Sequence, residues 1–167
     1  LGEAAVIHAG RARGLRWVIG RYHNVYGPRM GTDHVIPEMA LRAIRREDPF
    51  RVYGPRQRRA FCHVADAVEA TLRLATTDAA AGHVVNIGND SDETIIEDLA
   101  GLVLRRAGYA PALERLPAPA GSPERRCPDL TRLHALTGVT PKVSLETGVG
   151  ETLDWYRGWW EREGGRR

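Results

Sequence analysis

At 167 residues, with 43% hydrophobic and 27% charged residues, the chain is long enough for one domain around a buried core, and its composition excludes a disordered segment, a coiled coil and a collagen. Its 24 basic residues are nearly balanced by 21 acidic ones, a formal charge of +3 that gives only a weak pointer to anionic ligands. Two cysteines cannot build a disulfide framework and nothing at the start reads as a signal peptide, so a reducing, cytoplasmic setting is expected; the apolar runs are too short to span a bilayer, so no membrane span is expected either.

Residues 1–13 are rich in alanine and good helix formers, and Gly14 stands where a helix C-terminal cap belongs, so the chain is expected to open in mid-helix. Residues 15–22 form an apolar, β-favouring run, and turn residues punctuate 24–28. A loop after a strand C-terminus is where open α/β sheets place ligands, so function is expected near Asn24. Apolar residues recur at helical spacing over 37–46 (Met39, Ala40, Ala43, Ile44), followed by strands over 50–53 and 60–64. Asp66 is placed to cap a helix over 67–75.

A strand over 84–87 and an amphipathic helix over 94–106, entered through Asp92 or Thr94 and left at Gly108, continue the alternation. Residues 111–128 hold five prolines and read mainly as loop, with a short strand over 112–116. Asp129 is expected to cap a helix reaching Leu136, and Ser144 and Glu146 to begin a last helix carrying Leu153, Trp155, Tyr156, Trp159 and Trp160. The tail at 164–167 reads as a frayed end. The fold class is α/β.

The segment Arg21-Tyr-His-Asn24-Val-Tyr-Gly-Pro-Arg29 resembles the R-x-x-N-x-Y-G-P stretch of extended short-chain dehydrogenases/reductases of the NAD-dependent NDP-sugar epimerase/dehydratase family. The likeness continues in order through Val35-Ile-Pro37, Val52-Tyr-Gly54, Gln57-Arg-Arg-Ala-Phe61 with Val64 and Asp66, Asn86-Ile-Gly-Asn89, Arg126-Cys-Pro-Asp129 and the stretch from Leu145 to Trp155. The resemblance implies the C-terminal part of a Rossmann-type fold with a small mixed α/β substrate-binding domain. Residues 1–30 would be the end of the family's Tyr-Lys helix plus a late Rossmann strand and its loop. Residues 31–167 would be mainly the nucleotide-sugar-binding domain, with 60–90 returning to the Rossmann sheet.

Residue by residue, the resemblance implies that Asn24 hydrogen-bonds the diphosphate or sugar and that Tyr22 lies near the nicotinamide. It sets Val35 and Ile36 at the uracil or thymine ring, Val52 and Tyr53 beside the base and ribose, and Arg59 and Arg126 on the diphosphate and ribose. All but one of the basic residues are Arg, which suits bidentate phosphate recognition but equally reflects genomic base composition. Arg58, on the same run as Arg59, reads as a solvated strand edge. The implied partners are a nucleotide-sugar substrate and, in the parent enzyme, a second copy of the chain.

Cys62, His63 and Asp66 do not read as a metal site, because adjacent strand positions point to opposite faces and no further ligand pair has zinc-type spacing. The aromatic cluster at 155–160 has helical spacing and reads as packing rather than a platform for bases, so no nucleic-acid partner is expected. Hydride chemistry in the family needs a glycine-rich NAD turn and a Tyr-x-x-x-Lys pair, and this sequence contains neither: four residues before its only lysine, Lys142, stands Gly138. NAD would therefore be held mainly by a missing N-terminal half. The expected parent activity is UDP- or dTDP-sugar 4-epimerisation through a 4-keto intermediate, which Val35-Ile-Pro37 favours. UDP-glucuronate decarboxylases are rivals, through likeness at Tyr26–Met30 and Arg126–Asp129, and 4,6-dehydratases rank third. From other classes, a non-catalytic nucleotide-diphosphate-binding module and an Arg-rich nucleic-acid binder remain open.

Overall fold

The protein is described from a computed structural model, over residues 1–163; the tail at 164–167 lies outside the described residues. Helix α1 (Gly2–Arg13) stops on Gly14, which takes the left-handed conformation (φ 65°) that only glycine adopts without cost. Strand β1 (Val18–Tyr22) leads into β2 (Val25–Tyr26), a two-residue bridge where the sequence suggested only a turn. Helix α2 (Val35–Ile44) begins two residues earlier than its periodicity indicated, with Pro37 in its first turn, where a missing N–H costs nothing. Strands β3 (Phe50–Tyr53), β4 (Arg58–Ala60) and β5 (Cys62–His63) follow.

Helix α3 (Val64–Thr76) is capped by the His63 ring, which accepts from the Ala65 N–H. Asp66 is thus not the cap that sequence reasoning made it. It lies buried within the first turn, and its two carboxylate oxygens accept from the Lys142 and Val143 N–H groups, both at 3.0 Å. Strand β6 (His83–Ile87) comes next, then β7 (Glu93–Ile95), where β-branched Thr94 and Ile95 join a sheet edge instead of starting the following helix. Helix α4 (Ile96–Ala107) ends on left-handed Gly108 as expected, but Asp92 caps a different element, accepting from the Leu145 N–H at 3.0 Å.

Strand β8 (Leu113–Leu116) matches the short strand expected among the prolines, whereas β9 (Arg125–Arg126) was read as loop. Helix α5 (Thr131–Thr137) receives its first N–H bond on the Asp129 carboxylate (2.8 Å), and α6 (Leu145–Arg162) is capped by Ser144 through the Thr147 N–H (3.1 Å). No helix among the described residues is long and apolar enough to cross a membrane.

Strands β1 and β6 pair in parallel, as do β2 with β5 and β3 with β8; β4 is central to a mixed sheet in the order β7-β4-β9. One core lies on β1 and β6 beneath α3 and α5, from Ala67, Leu74, Val85, Ile87, Leu130 and Leu133. A second joins α2, α4 and α6 to β3 through Ile36, Phe50, Val52, Leu99, Val103 and Val149. Tyr156 and Leu153 extend it along α2, with Trp155, Trp159 and Trp160 packed against them, so the aromatic cluster is packing. The segment around Asn24 passes between the two cores.

Candidate functional site

Asn24 lies two residues past the end of β1 and sits at φ 43°, in the left-handed region that Asn tolerates better than most side chains. Its amide N–H donates to the Ala60 carbonyl at 2.9 Å, and its own carbonyl accepts from the Cys62 N–H at 3.2 Å. The loop after β1 is thereby fastened to the chain leaving β4. Beside it a small pocket of about 60 Å³ is lined by Asn24, Met30, His34, Val35, Ile36 and Phe61 among others. Val35 is half-buried there and Ile36 is almost wholly inside.

On β4 the alternation of a strand separates two kinds of arginine. Arg58 and Arg125 share one face with Glu93, whose carboxylate takes both guanidinium groups, at 3.5 and 2.8 Å. Those hydrogen bonds, Arg125's foremost, hold the Glu93 carboxyl below its ordinary range. Arg59 and Arg126 are register partners on the other face, with Thr94 across from Arg59. Burial, and then the neighbouring Arg126 charge, push Arg59 below its ordinary value. Arg126 is exposed and has no acidic partner within 4.0 Å among the described residues. The arrangement is two cations, from segments far apart in sequence, with no carboxylate to neutralise them: a place suited to an anion.

Arg59 is only 8% exposed, and its guanidinium donates to the carbonyls of Arg58 (2.7 Å), Pro123 (2.7 Å) and Glu124 (3.2 Å) and to Ser122 Oγ (3.1 Å). Val52 is fully buried in the core, because β3 turns Phe50 and Val52 inward and Arg51 and Tyr53 outward. The Val52 side chain therefore presents no surface of its own, so a place beside the base and ribose, which the resemblance implies, could only be from within the core; Tyr53 is 46% exposed. Tyr22 is 56% exposed, faces α3, and its hydroxyl shares a 2.9 Å hydrogen bond with Thr71.

The fold thus gathers Asn24, Val35 and Ile36 about one pocket and joins it through Ala60 and Phe61 to the Arg59/Arg126 face, while Tyr22 and Tyr53 stand apart. Roomier depressions, about 350 Å³ beside Arg16 and about 490 Å³ between Arg21 and Arg132, border the β1–β6 pair instead. Their arginines are already engaged, by Asp78 (2.6 Å), Glu3 (2.6 Å) and the Val84 carbonyl (2.7 Å). Among the described residues no group of His, Cys, Asp and Glu is placed to hold a metal ion. Sequence reasoning did not single out Ser122 or Glu93, which organise the arginine sheet, because their partners lie in strands it read as loop; it named Asp92 only as a possible entry to α4, whereas this residue serves the start of α6.

Comparison with known proteins bears on this arrangement. Residues 1–88 match the NAD dependent epimerase/dehydratase family. The chain is 36% identical over 155 residues to the UDP-N-acetyl-alpha-D-glucosaminuronate decarboxylase of Bacillus cytotoxicus, covering 87% of this chain and 47% of that one. It is 32% identical over 156 residues to the dTDP-glucose 4,6-dehydratase of Streptomyces niveus, covering 90% and 46%. The crystal structure of UDP-glucose 4-epimerase from Thermotoga maritima with UDP-glucose superposes with a TM-score of 0.83 at 30% identity, over 94% of this chain and 51% of that one. The chain spans about half the length of these two curated relatives.

Proposed function

Because this chain belongs to the NAD-dependent epimerase/dehydratase family, we propose that it is the nucleotide-sugar-binding half of an enzyme that carries UDP- or dTDP-sugars through a 4-keto intermediate. The observation that carries this reading is the pairing of Arg59 with Arg126 on one sheet face, joined by Ala60 to Asn24. A diphosphate is a dense dianion, and a planar guanidinium meets its oxygens with charge-assisted, two-pronged hydrogen bonds. In this reading Arg126 takes the diphosphate on the exposed side, and Asn24 offers its second amide N–H. Val35 faces the base at the pocket mouth with the buried Ile36 backing it, and Tyr53 lies beside the ribose with Val52 supporting it from within.

The chain offers NAD one contact that fits, the exposed ring of Tyr22 at the C-terminal end of β1, where parallel sheets place their ligands. With no glycine-rich turn and no Tyr-x-x-x-Lys pair in the sequence, the rest of NAD's contacts fall to residues outside this chain. NAD, when bound, supplies the hydride acceptor for oxidation at the sugar C4. What these residues do is grip the nucleotide diphosphate and so hold the sugar in one orientation, turning encounter into alignment.

Epimerisation at C4 is the leading reading, on Val35-Ile-Pro37 and the likeness to the Thermotoga enzyme. Decarboxylation is the second, favoured by the likeness to the Bacillus cytotoxicus enzyme. Proton NMR together with mass spectrometry of products from UDP-glucose and UDP-glucuronate, with the protein that carries this chain and NAD, separates the readings. Epimerisation leaves the mass unchanged and shows as a new C4 isomer in the NMR spectrum, decarboxylation removes carbon dioxide, and dehydration removes water. UDP uptake with no product under any of these conditions would leave only a non-catalytic diphosphate-binding module.

A further inference from the structure

Strand β4 is preceded by a tight turn in which the Gln57 N–H donates to the Gly54 carbonyl at 2.9 Å. Gly54 sits at φ 58°, and a Cβ there would collide with the Gln57 amide and press on Ala118, so the turn needs glycine for conformation and for space. The close approach seats the Gln57 amide against a second turn, closed by the Ser122 N–H on the Pro119 carbonyl at 3.1 Å. Gln57 Nε2 donates to the carbonyls of Ser122 (3.2 Å) and Pro123 (3.1 Å), and its Oε1 accepts from the Ser122 hydroxyl (3.1 Å). The same hydroxyl accepts from Arg59, which also holds the Pro123 and Glu124 carbonyls. Gln57, just before β4, and Arg59, on it, thus grip the same strap. Two residues after Glu124 comes Arg126.

We infer that Gln57 is a positioning residue: with Arg59 it latches the strap at 122–124, fixing β9 and hence the place of Arg126 on the ligand face, without itself touching the ligand. This rests on the diphosphate reading of Arg126. A strap of this composition, with Pro119, Gly121 and Pro123, makes few interactions of its own. The latch supplies backbone hydrogen bonding that the short β4–β9 ladder cannot, since β9 is only two residues long. Arg59 engages three donor contacts in the latch and a fourth on the Arg58 carbonyl, so the cation left facing outward is Arg126.

The test is a double-mutant cycle in the protein that carries this chain, using Gln57→Ala and Arg126→Ala and reading the dissociation constant for UDP by calorimetry. Gln57→Ala is expected to weaken UDP binding about threefold to tenfold when Arg126 is present, the size of one or two lost hydrogen bonds. It should have almost no effect in the Arg126→Ala background. Equal losses in both backgrounds, or no loss in either, would overturn the inference. Ser122→Ala, at a half-buried strap position, should reproduce the coupled loss more weakly and guards against a misfolded Gln57 variant. If the unaltered protein takes up no UDP, the diphosphate reading fails. Amide exchange then decides the latch: faster exchange at 122–126 in Gln57→Ala upholds it, and unchanged exchange rules it out.

Discussion

Arg125 and Arg126 are adjacent in sequence yet do opposite work, because a strand turns neighbours to opposite faces. Arg125 is tied to Glu93 at 2.8 Å, whereas Arg126 has no carboxylate to neutralise it among the described residues. Arg126→Ala is therefore expected to raise the UDP dissociation constant by about tenfold or more, the worth of a charged hydrogen bond, and Arg125→Ala by less than about twofold; calorimetric titration checks both. Cys62 offers a different test. Burial, and then the Asp66 charge, push its thiol up to about 12, and burial likewise raises the Tyr26 phenol. A group whose folded pKa is raised contributes fully below its unfolded value, about 8.5 for a thiol. Between there and about 12 the unfolded chain ionises while the folded one does not. Stability should consequently fall with rising pH, by up to about 1.4 kcal/mol per pH unit for each such group. Urea midpoints measured across that alkaline window should decline, and Cys62→Ala should flatten the decline.

Among the elements, α6 depends on contacts made before it begins. Asp66 takes the Lys142 and Val143 N–H groups and Asp92 takes that of Leu145, so two carboxylates from more than 50 residues earlier set where the helix starts. Asp66→Ala removes two hydrogen bonds to a charged acceptor and should cost about 2–3 kcal/mol in chemical denaturation. The same helix meets β2 at Gly148, where any Cβ would strike the Tyr26 hydroxyl and the His63 ring. Gly148→Ala should therefore destabilise by about 1–3 kcal/mol through overpacking, despite alanine's better helix propensity. The Tyr26 hydroxyl is buried without a hydrogen-bond partner. Tyr26→Phe should accordingly be neutral to slightly stabilising and should recover part of the Gly148→Ala loss, since the obstructing oxygen is gone. Thermal melts of the three variants test the argument.

At the scale of the whole molecule, α3 presents Val64, Val68 and Leu72 to solvent at spacings of one helical turn, 36%, 51% and 57% exposed, with Tyr22 nearby at 56%. An apolar stripe of this kind favours association. The chain expressed by itself should elute in size-exclusion chromatography ahead of a monomer, and Val68→Glu with Leu72→Glu should shift it back. Much of the architecture was legible in the sequence because the signals were local. Gly14 and Gly108 marked helix ends through the left-handed backbone only glycine adopts freely, the period of α2, α4 and α6 announced their buried faces, and the Asn24 loop followed from a strand ending in turn residues. The resemblance to the family, carried by motifs in order along the chain, is what brought Asn24, Val35, Ile36, Arg59 and Arg126 forward together. It did not show that Val52 is sealed in the core, that Asp66 and Asp92 serve α6 rather than their own helices, or that β7 and β9 flank β4. Each of those depends on which distant backbone groups need a partner once the chain is folded. Hydrogen bonding between segments 30 to 80 residues apart leaves no periodicity in the sequence, so only the tertiary structure decided that Arg59 would be locked on the strap and Arg126 left facing outward.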